Sequence, residues 1–439
     1  MRHKITSVGW VLIFLFIAGA VSAQDPLENC EVPGVQTSGS LYVICKAPGS
    51  NRNGSLVIWA HGFQDAGTDI GIPVNQLTFG DNVIIPQIVT SLGFDFATNS
   101  YSKTGLAVLQ GSADILELVT IYTRDIGTPE NVYLVGASEG GIITALLVEK
   151  HPEVFQAGLA LCGPVGDFPF QINYFGDARV TFQYFFPWLL PKLSCDEDQT
   201  PVRNWCNLVP GGDSTENWSE CFEEIVKPEL LDPSNRSRLD QWVRVAKLAH
   251  DPDNYLETVE KSAKDVLRYS MLNIEDAAET LGGFPFDNRR KWYWGSNKDF
   301  WLNLLVKRCT PDADAILEMK TFYNTSGKLQ HPLITMHTLR DQQIPYIHEV
   351  FYNWKTFFQG SFLTKHINIP VDRYGHCNFT LEEALFSFGL MLFYAGDLDL
   401  LAGVGTALQG TGLEAFEQMA EEYGLPYTTG GDRLEALLK

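Results

Sequence analysis

The chain has 439 residues, 45% of them hydrophobic, so it can bury a sizeable core and exceeds the usual size of one domain. We therefore expect one core domain with a large insertion or a second domain. Its 53 acidic residues outnumber the 32 basic ones and give a net charge of −21 at pH 7. Because this charge repels phosphates, nucleic acid and anionic membrane surfaces are excluded as partners.

Residues 1–23 have the composition of an export signal. A basic start precedes an apolar run from Val8 to Val21, and the small residues at its end suit cleavage before Gln24. The alternative is an uncleaved membrane anchor, but the small-residue end favours cleavage. No later segment is long and apolar enough to span a bilayer. We therefore predict a secreted or periplasmic protein with no stable membrane insertion after cleavage.

Eight cysteines suggest disulfides in an exported chain. None of them belongs to a Cys-x-x-Cys pair, the pattern of zinc ribbons and thioredoxin-like redox sites. Cys30 and Cys45 are expected to close an N-terminal hairpin. Two of Cys195, Cys206 and Cys221 are expected to crosslink a loop-rich stretch, and the sequence does not decide which two.

Strand-like apolar runs alternate with helical patterns in the first part of the chain, which we assign to residues 24–162. The predicted strands are 55–60, 94–98, 131–135 and 157–162, and the helices predicted between them are 83–92, 106–125 and 142–150. This alternation predicts a parallel sheet that is covered by helices on both faces.

Helical and aromatic-rich sequence replaces this pattern in residues 163–330, with helices predicted near 236–249 and 255–283. Strand and helix signals then return, with strands predicted at 332–336 and 365–369 and helices at 346–358 and 380–394. We therefore expect residues 331–395 to complete the core. Residues 163–330 would form a large, mainly helical insertion between core strands. Residues 396–439 form a C-terminal extension, to which we assign no activity.

The most informative motif is Gly136-Ala137-Ser138-Glu139-Gly140, which follows a predicted strand and precedes a predicted helix. A serine on so sharp a turn projects its hydroxyl beyond the sheet edge, and the flanking glycines avoid collisions in the turn. Gly-x-Ser-x-Gly alone is a weak signal, but the strand and the helix supply the structural context of a nucleophile. Ser138 is the predicted nucleophile, and an ordinary Gly/Ser turn is the alternative.

An activated serine needs a base within hydrogen-bond reach, and a histidine is the expected one. Among the nine histidines, His376 lies in a loop just past the last predicted strand. This is the carboxyl edge of the sheet, where open α/β sheets bind ligands. His376 is therefore the predicted base, and a surface-loop histidine is the alternative. Four others fall at element ends or inside a strand pattern: His151, His250, His331 and His366.

The base needs an acid that orients it, and we assign this role to Asp341. Asp341 follows the predicted strand 332–336 and precedes a predicted helix, so it also lies at the carboxyl edge. Asp372, close to the base in sequence, is the main competitor, and Glu349 falls too far into the following helix. A carboxylate that merely stabilises a helix start is the alternative reading of Asp341.

The order serine, acid, histidine differs from the orders of chymotrypsin and subtilisin. Together with the His-Gly-Phe loop at 61–63 and the Tyr-Gly-His loop at 374–376, it makes the chain similar to secreted serine hydrolases of the α/β-hydrolase fold. The resemblance covers about residues 40–162 and 330–395. It implies a mostly parallel central sheet flanked by helices, with residues 163–330 inserted as a cap over the site.

The resemblance also implies an oxyanion hole built from two backbone N–H groups. One belongs to Glu139, directly after the nucleophile, and the other is expected from Phe63 in the His-Gly-Phe loop. Donors aimed at the developing negative oxygen stabilise the transition state of acyl transfer. His61 belongs to the architecture of this loop, so we do not assign it the role of a base.

The function predicted from these residues is hydrolysis of carboxylic esters, small or polymeric, through an acyl-enzyme intermediate. A secreted, exopeptidase-like serine peptidase is the alternative, and a non-catalytic binding protein of the same fold is a further one. The aromatic stretches 182–188 and 292–301 could line an apolar cleft or form the core of the cap. No metal motif is present and no Gly-x-Gly-x-x-Gly follows the first strand, so no metal or cofactor is predicted.

Overall fold

The computed structural model describes residues 26–27, 30, 33–79, 83–190, 193, 195 and 214–401. The predicted export signal, Cys206 and nearly all of the predicted C-terminal extension lie outside these residues. None of the helices in the described ranges is both long enough and apolar enough to cross a bilayer.

An eight-stranded sheet forms the centre of the described structure. The strands of the described residues, in this sheet and in a separate hairpin, are β1 Gly34–Val35, β2 Leu41–Cys45, β3 Leu56–Ala60, β4 Thr78–Phe79, β5 Val83–Ile84, β6 Asp95–Asn99, β7 Val132–Ala137, β8 Ala157–Leu161, β9 Leu333–Arg340 and β10 His366–Tyr374. Their order in the sheet is β1-β2-β6-β3-β7-β8-β9-β10, while β4 and β5 form a separate hairpin. All strands from β6 to β10 in this order run parallel, and β2 joins β6 antiparallel.

Helices cover both faces of the sheet. The helices of the described residues, including those of the connection between β8 and β9, are α1 Ile85–Ser91, α2 Val108–Asp125, α3 Glu139–Lys150, α4 Phe168–Phe185, α5 Ser214–Cys221, α6 Lys227–Leu230, α7 Arg236–Ala246, α8 Tyr255–Leu281, α9 Asp299–Leu305, α10 Ala313–Glu318, α11 Ile347–Phe358 and α12 Leu381–Ala395. Apolar side chains of α2 and α3 pack on one face, and those of α1 and α12 on the other. The predicted fold class, a mostly parallel central sheet flanked by helices, is confirmed.

Strand β3 shows why the sheet must be covered on both sides. Leu56, Ile58 and Ala60 join the core on the α2 and α3 face, whereas Val57 and Trp59 join the core on the α1 and α12 face. Successive side chains of a strand point to opposite faces, so a strand that is apolar throughout needs packing partners on both. The continuous apolar sequence of this strand therefore fixes its central place in the sheet.

The connection from β8 to β9 contains helices α4 to α10. Within it, α4 packs against α7 and α8, and the indole N–H of Trp242 donates to the carbonyl oxygen of Ala178 at 3.1 Å. The rings of Phe182 and Phe186 are buried in the same core. The aromatic stretch that begins at 182 thus contributes to the interior of this helical segment.

The ends of several elements differ from the sequence-based prediction. Strand β9 continues to Arg340 and β10 to Tyr374, although both were expected to end several residues earlier. Their extensions pair with each other, so tertiary hydrogen bonding prolongs strands whose polar residues do not look strand-like. The helix predicted from 83 begins at Ile85, because Val83 and Ile84 form β5.

Three disulfides occur in the described residues. Cys30–Cys45 is one of them, as predicted for the N-terminal hairpin, and Cys162–Cys377 was not anticipated. Cys195 pairs with Cys309, across 114 residues, so the two predicted pairings that include Cys195 are wrong, while Cys206 lies outside the described residues and its pairing with Cys221 stays a prediction. The sulfurs of Cys195 and Cys309 are brought together by packing of distant segments, which sequence spacing does not reveal.

Candidate active site

Ser138 lies at the tip of the sharp turn between β7 and α3. Its φ of 58° and ψ of −118° are strained for a non-glycine residue, as expected for a nucleophile held in a strand-to-helix turn. The turn is held by the Ser138 N–H, which donates to the carbonyl oxygen of Leu161 at 2.8 Å. The end of β8 therefore fixes the position of the serine.

The two glycines of the motif are required by close backbone contacts. A Cβ atom on Gly140 would collide with the carbonyl oxygen of Ala60, and one on Gly136 would collide with that of Gly140. The loop after β3 passes equally close, since a Cβ on Gly62 would lie 3.2 Å from the Cβ of Ser138. The residues after Gly62 thus run directly beside the serine.

His376 contacts both of the other predicted side chains. Its Nε2 lies 2.9 Å from Ser138 Oγ, and its Nδ1 lies 2.7 Å from Asp341 Oδ2. The imidazole is 13% exposed, so one edge of it remains accessible from solvent. The disulfide from the adjacent Cys377 to Cys162 ties this loop to the end of β8, next to the turn that holds the serine.

Asp341 is fully buried directly after β9. Its Oδ1 accepts hydrogen bonds from the backbone N–H groups of Gln343 at 2.8 Å and Ile344 at 2.9 Å, which leaves Oδ2 directed at His376. Burial disfavours the charged carboxylate, but the neighbouring His376 and His337 outweigh burial and hold the pKa of Asp341 well below its usual range. Asp341 is therefore ionised.

The competing carboxylates are placed elsewhere. Asp372 is 75% exposed and pairs with Arg340 at 2.8 Å, away from the serine. Glu349 is buried on α11, where its Oε2 accepts hydrogen bonds from Thr335 at 2.6 Å and Asn368 at 2.8 Å. The structure thus brings Ser138, Asp341 and His376 together and separates both competitors from the serine and its histidine.

The strand order and the elbow decide the architecture. The serine follows the central strand β7, the acid follows β9, and the histidine follows β10, all at the carboxyl edge of one mostly parallel sheet. The chain has the α/β-hydrolase fold. Within this fold, β2 pairs antiparallel with β6, and the long helical connection lies between β8 and β9 in the chain.

Comparisons with known proteins add little beyond the fold. No protein-family model matches the sequence, and neither does any curated protein. Among solved structures, the chain is similar to an acylaminoacyl peptidase in complex with Z-Gly-Gly-Phe-chloromethyl ketone (10% identity, 93% of this chain and 43% of that chain, TM-score 0.39). It thus spans less than half of that peptidase.

Two further solved structures are similar at the same level. Lipase A of Candida antarctica in its closed state shares 14% identity over 83% of this chain and 76% of that chain, with a TM-score of 0.41. Est1E of Butyrivibrio proteoclasticus shares 10% identity over 84% of this chain and 99% of that chain, with a TM-score of 0.36. Similarity this low does not establish a substrate or an activity for the chain.

A second histidine, His337, lies on the other side of Asp341 and was not considered in the sequence analysis. Its Nε2 is 2.8 Å from the carbonyl oxygen of Ile344 and 3.4 Å from Asp341 Oδ2, while its Nδ1 is 3.2 Å from Glu349 Oε1. Burial opposes protonation, but hydrogen bonding to the two carboxylates raises the pKa of His337 to about 10. The only available signal was its position, four residues before the acid on the same strand.

Glu139 and Phe63, the predicted oxyanion donors, lie on either side of Ser138: one directly follows it in the chain, and the other lies in the loop whose Gly62 approaches its Cβ. Glu139 is the first residue of α3, where a backbone N–H has no partner within the helix. Phe63 follows Gly62, whose own N–H donates to Gln76 Oε1 at 2.7 Å. His61 is buried and stacks on Tyr101 with ring centroids 3.8 Å apart, and burial lowers its pKa to about 4. Its contacts agree with a structural place in the loop.

Two cavities meet at Ser138. The inner cavity extends beneath α4 and α8 and is lined mainly by apolar residues, among them Leu106, Ile142, Phe168, Ile172, Phe175 and Ala277. The outer cleft is wider and is lined in part by exposed residues such as Thr78, Lys261 and Asn378, and it also contains His376. Neither cavity is lined by residues of the aromatic stretches 182–188 and 292–301.

The rings of those aromatic stretches have other places. Trp292, Trp294, Phe300 and Trp301 are each about half exposed or more on the surface of the described structure. The aromatic walls of the inner cavity are formed instead by residues outside these two stretches: Phe63, Phe168, Phe175 and Tyr269. Of the two alternatives for these stretches, the lining of the cleft is therefore not observed in either cavity.

One group of potential metal ligands occurs in the described residues, formed by Cys162, His376 and Cys377. Its two sulfurs are joined in a disulfide, so they are not available as thiolate ligands. These residues therefore form a disulfide-linked loop beside His376, and the two sulfurs do not form a thiolate metal site.

Proposed function

We propose that the protein is a serine hydrolase that cleaves carboxylic esters through an acyl-enzyme intermediate. The observation that carries this proposal is the position of the His376 imidazole, which lies 2.9 Å from Ser138 Oγ and 2.7 Å from Asp341 Oδ2. A hydroxyl, a base and an orienting acid in this chain of contacts form the arrangement that activates a serine for attack on a carbonyl.

In this mechanism Asp341 accepts the Nδ1–H of His376, which leaves Nε2 as the acceptor that faces the serine. Nε2 takes the Ser138 proton as Oγ attacks the ester carbonyl, and the resulting imidazolium then protonates the leaving alkoxide. Water then enters, loses a proton to the same Nε2 and attacks the acyl carbonyl, and the imidazolium returns the proton to Ser138 Oγ as the acid leaves. The buried carboxylate of Asp341 stabilises the imidazolium in both halves of the cycle.

The negative oxygen of the tetrahedral intermediate would be held by the backbone N–H groups of Glu139 and Phe63. The first belongs to the start of α3, where the helix dipole also favours negative charge. The second lies in the loop that runs beside the serine. Each donor of this kind contributes roughly 10²–10³ to turnover in enzymes where one has been removed.

We assign the helical connection between β8 and β9 the role of a cap, because α4 and α8 form a wall of the inner cavity beside Ser138. Export is supported by three disulfides in the described residues, since such bonds persist in oxidising compartments. The substrate would be a small or polymeric ester met outside the cytoplasm.

The deciding experiment compares p-nitrophenyl esters with aminoacyl p-nitroanilides as substrates of the purified protein and of Ser138→Ala. Turnover of the esters should be lost by roughly 10⁶-fold in the variant, with an unchanged circular dichroism spectrum. Hydrolysis of the anilides alone would replace the esterase assignment with the peptidase alternative. Unchanged turnover in Ser138→Ala would remove Ser138 from the mechanism. No turnover of either class and no labelling of the wild-type protein by a fluorophosphonate would support the non-catalytic alternative.

A further inference from the structure

The two cavities at Ser138 differ in their access to the base. His376 lines the outer cleft and is absent from the lining of the inner cavity. The imidazolium must reach the leaving oxygen to protonate it, so the leaving group of a bound ester occupies the outer cleft. The acyl group, on the other side of the scissile bond, then enters the inner cavity.

Most of the inner cavity suits a hydrocarbon. Its walls include the buried side chains of Ile142, Phe168, Ile172 and Phe175, which present an apolar surface to a bound group. A purely apolar acyl chain would satisfy these walls. It would leave two polar atoms of the same cavity without a partner.

The first of these atoms is Oε2 of Glu139, a residue that is only 8% exposed. Its Oε1 accepts a hydrogen bond from the Ala107 N–H at 2.8 Å, whereas Oε2 is buried and has no partner among the described residues. Burial raises the pKa of Glu139 to about 8, so the carboxyl is mainly protonated at neutral pH. Because Oε1 is already an acceptor, the proton resides on Oε2, which therefore presents a donor.

The second atom is Oδ1 of Asn273 on α8. It too is buried and lacks a hydrogen-bond partner in the described parts of the chain. Buried polar atoms are nearly always paired in folded proteins, so an unpaired atom on each of two residues that line one cavity beside Ser138 points to a ligand group that reaches them when it binds. Together they present one donor and one acceptor, and a hydroxyl group can pair with both kinds.

We propose, on the basis of the function proposed above, that the inner cavity is an acyl pocket for hydroxy-substituted acyl groups, whose hydroxyl pairs with Glu139 and Asn273. An unsubstituted acyl chain fits the apolar walls but leaves these groups unpaired in the acyl-enzyme. An ammonium group would favour the ionised form of Glu139 and pair with it, so the ω-amino ester is the competing ligand in the test. The site thus selects its acyl group by hydrogen bonding.

The test measures kcat/KM at pH 7 for p-nitrophenyl esters from butanoate to decanoate, each beside its ω-hydroxy and its ω-amino counterpart. The wild-type protein should prefer the hydroxy ester over the plain ester by at least about tenfold at the best chain length. Asn273→Leu, which has nearly the same shape and no acceptor, should reduce this preference by about tenfold. Thr78→Val, which removes a polar group from the outer cleft, is the matched control and should leave the preference unchanged.

The outcomes separate this inference from the proposed function. Ser138-dependent turnover of the plain esters with no hydroxy preference, or with a preference that survives Asn273→Leu, would overturn the acyl-pocket assignment and leave the serine mechanism in place. A preference for the ω-amino esters would replace the hydroxyl with an amine as the recognised group. Turnover that does not depend on Ser138 would remove the proposed function itself.

If Asn273→Leu fails to fold, Glu139→Gln provides the second variant. The amide of Gln has an N–H donor at every pH. The carboxyl of Glu139 in the wild-type protein loses its O–H donor when it ionises at high pH. The hydroxy preference of the wild-type protein should therefore fall as the pH rises through about 8, while that of Glu139→Gln stays level. Parallel pH profiles would contradict a role for this carboxyl in recognition.

Discussion

His376 and His337 lie on opposite sides of the same carboxylate, and their surroundings give them different chemistry. His376 follows β10 and has one acid beside it, an exposed edge and a hydroxyl at hydrogen-bond distance. His337 lies within β9, is fully buried and has a second carboxylate, that of Glu349, at its other nitrogen. A proton on the first can be exchanged with substrate and solvent, whereas a proton on the second is held as a fixed charge.

This difference shows that the residue type does not decide the role of a histidine beside an acid. Access to a reacting group makes His376 the candidate base. Two carboxylates and the carbonyl oxygen of Ile344 make His337 a buried cation that fixes the acid in place. Substitution of His376 should therefore reduce activity much more than stability, and substitution of His337 should reduce stability much more than activity.

The largest effect is expected from His376→Ala. Loss of the base should reduce kcat for ester hydrolysis by about 10⁴-fold or more, with little change in the free energy of unfolding. Steady-state kinetics and urea denaturation on the same preparation give both quantities. His151→Ala, a surface histidine paired with Glu153, is the control and should retain full activity. If His376→Ala lost only little activity, His376 would not be the base, and the proposed difference in role between His376 and His337 would be contradicted.

Asp341→Asn should follow, with kcat lowered by roughly 10²–10⁴-fold, because an amide can hold the imidazole in the wrong tautomer. Asp372→Asn, the same change at the exposed competitor, should have no effect on kcat. Comparison of the two variants by kcat across pH 5 to 9 tests which carboxylate supports the base. Equal losses in both would contradict the assignment of the acid.

Loss of the disulfide beside His376 should have an intermediate effect on activity. We expect the double substitution Cys162→Ala and Cys377→Ala to reduce kcat by about tenfold, because the loop that carries the base loses its covalent tie to β8. The matched control is Cys30→Ala with Cys45→Ala. It removes a disulfide whose cysteines line neither of the two cavities at Ser138. Similar kcat losses in the two double variants would show that the effect is one of general stability.

The smallest effect on kcat and the clearest effect on stability are expected from His337→Gln. The pKa of His337 is raised in the fold, so its stabilising contribution is complete below about pH 6.5 and is lost as the pH rises to about 10. The free energy of unfolding of the wild-type protein should therefore fall over this range relative to that of the variant. Glu139 gives a slope of the same sign between about pH 4.5 and 8, but it is present in both proteins and cancels in the difference.

At pH 6 the variant should be less stable by about 3–5 kcal/mol, because Glu349 is left buried without its cation. The double substitution of His337 and Glu349 by Gln removes both charges and should recover part of this loss. Identical pH slopes for the wild-type protein and His337→Gln would show that His337 is not a buried cation.

Much of the catalytic geometry could be predicted from the sequence because it depends on local order. A serine after a strand, an acid after a later strand and a histidine after the last one reach the same edge once the strands run parallel. The apolar sequence of β3 and β7 makes that arrangement predictable. The contact between His376 Nε2 and Ser138 Oγ, at 2.9 Å, lies at the sheet edge to which this topology brings both residues.

The parts that could not be predicted depend on contacts between distant segments. His337 becomes a buried cation only because α11 brings Glu349 against it, and the run from His337 to Asp341 gives no sign of this. Cys195 reaches Cys309 through the packing of the helical connection. The rings that line the inner cavity, such as Phe175 and Tyr269, come from two helices whose mutual orientation is not encoded in local pattern.

The serine and its histidine are separated by 238 residues, and the strands that carry the acid and the histidine are the last two of the sheet. A nascent chain that has been translated only through β8 contains Ser138 but neither Asp341 nor His376. Strand β8 keeps an open pairing edge until β9 arrives, after the whole helical connection has been made. The proposed mechanism therefore cannot operate in a nascent chain until translation has passed His376 and β9 and β10 have joined the sheet.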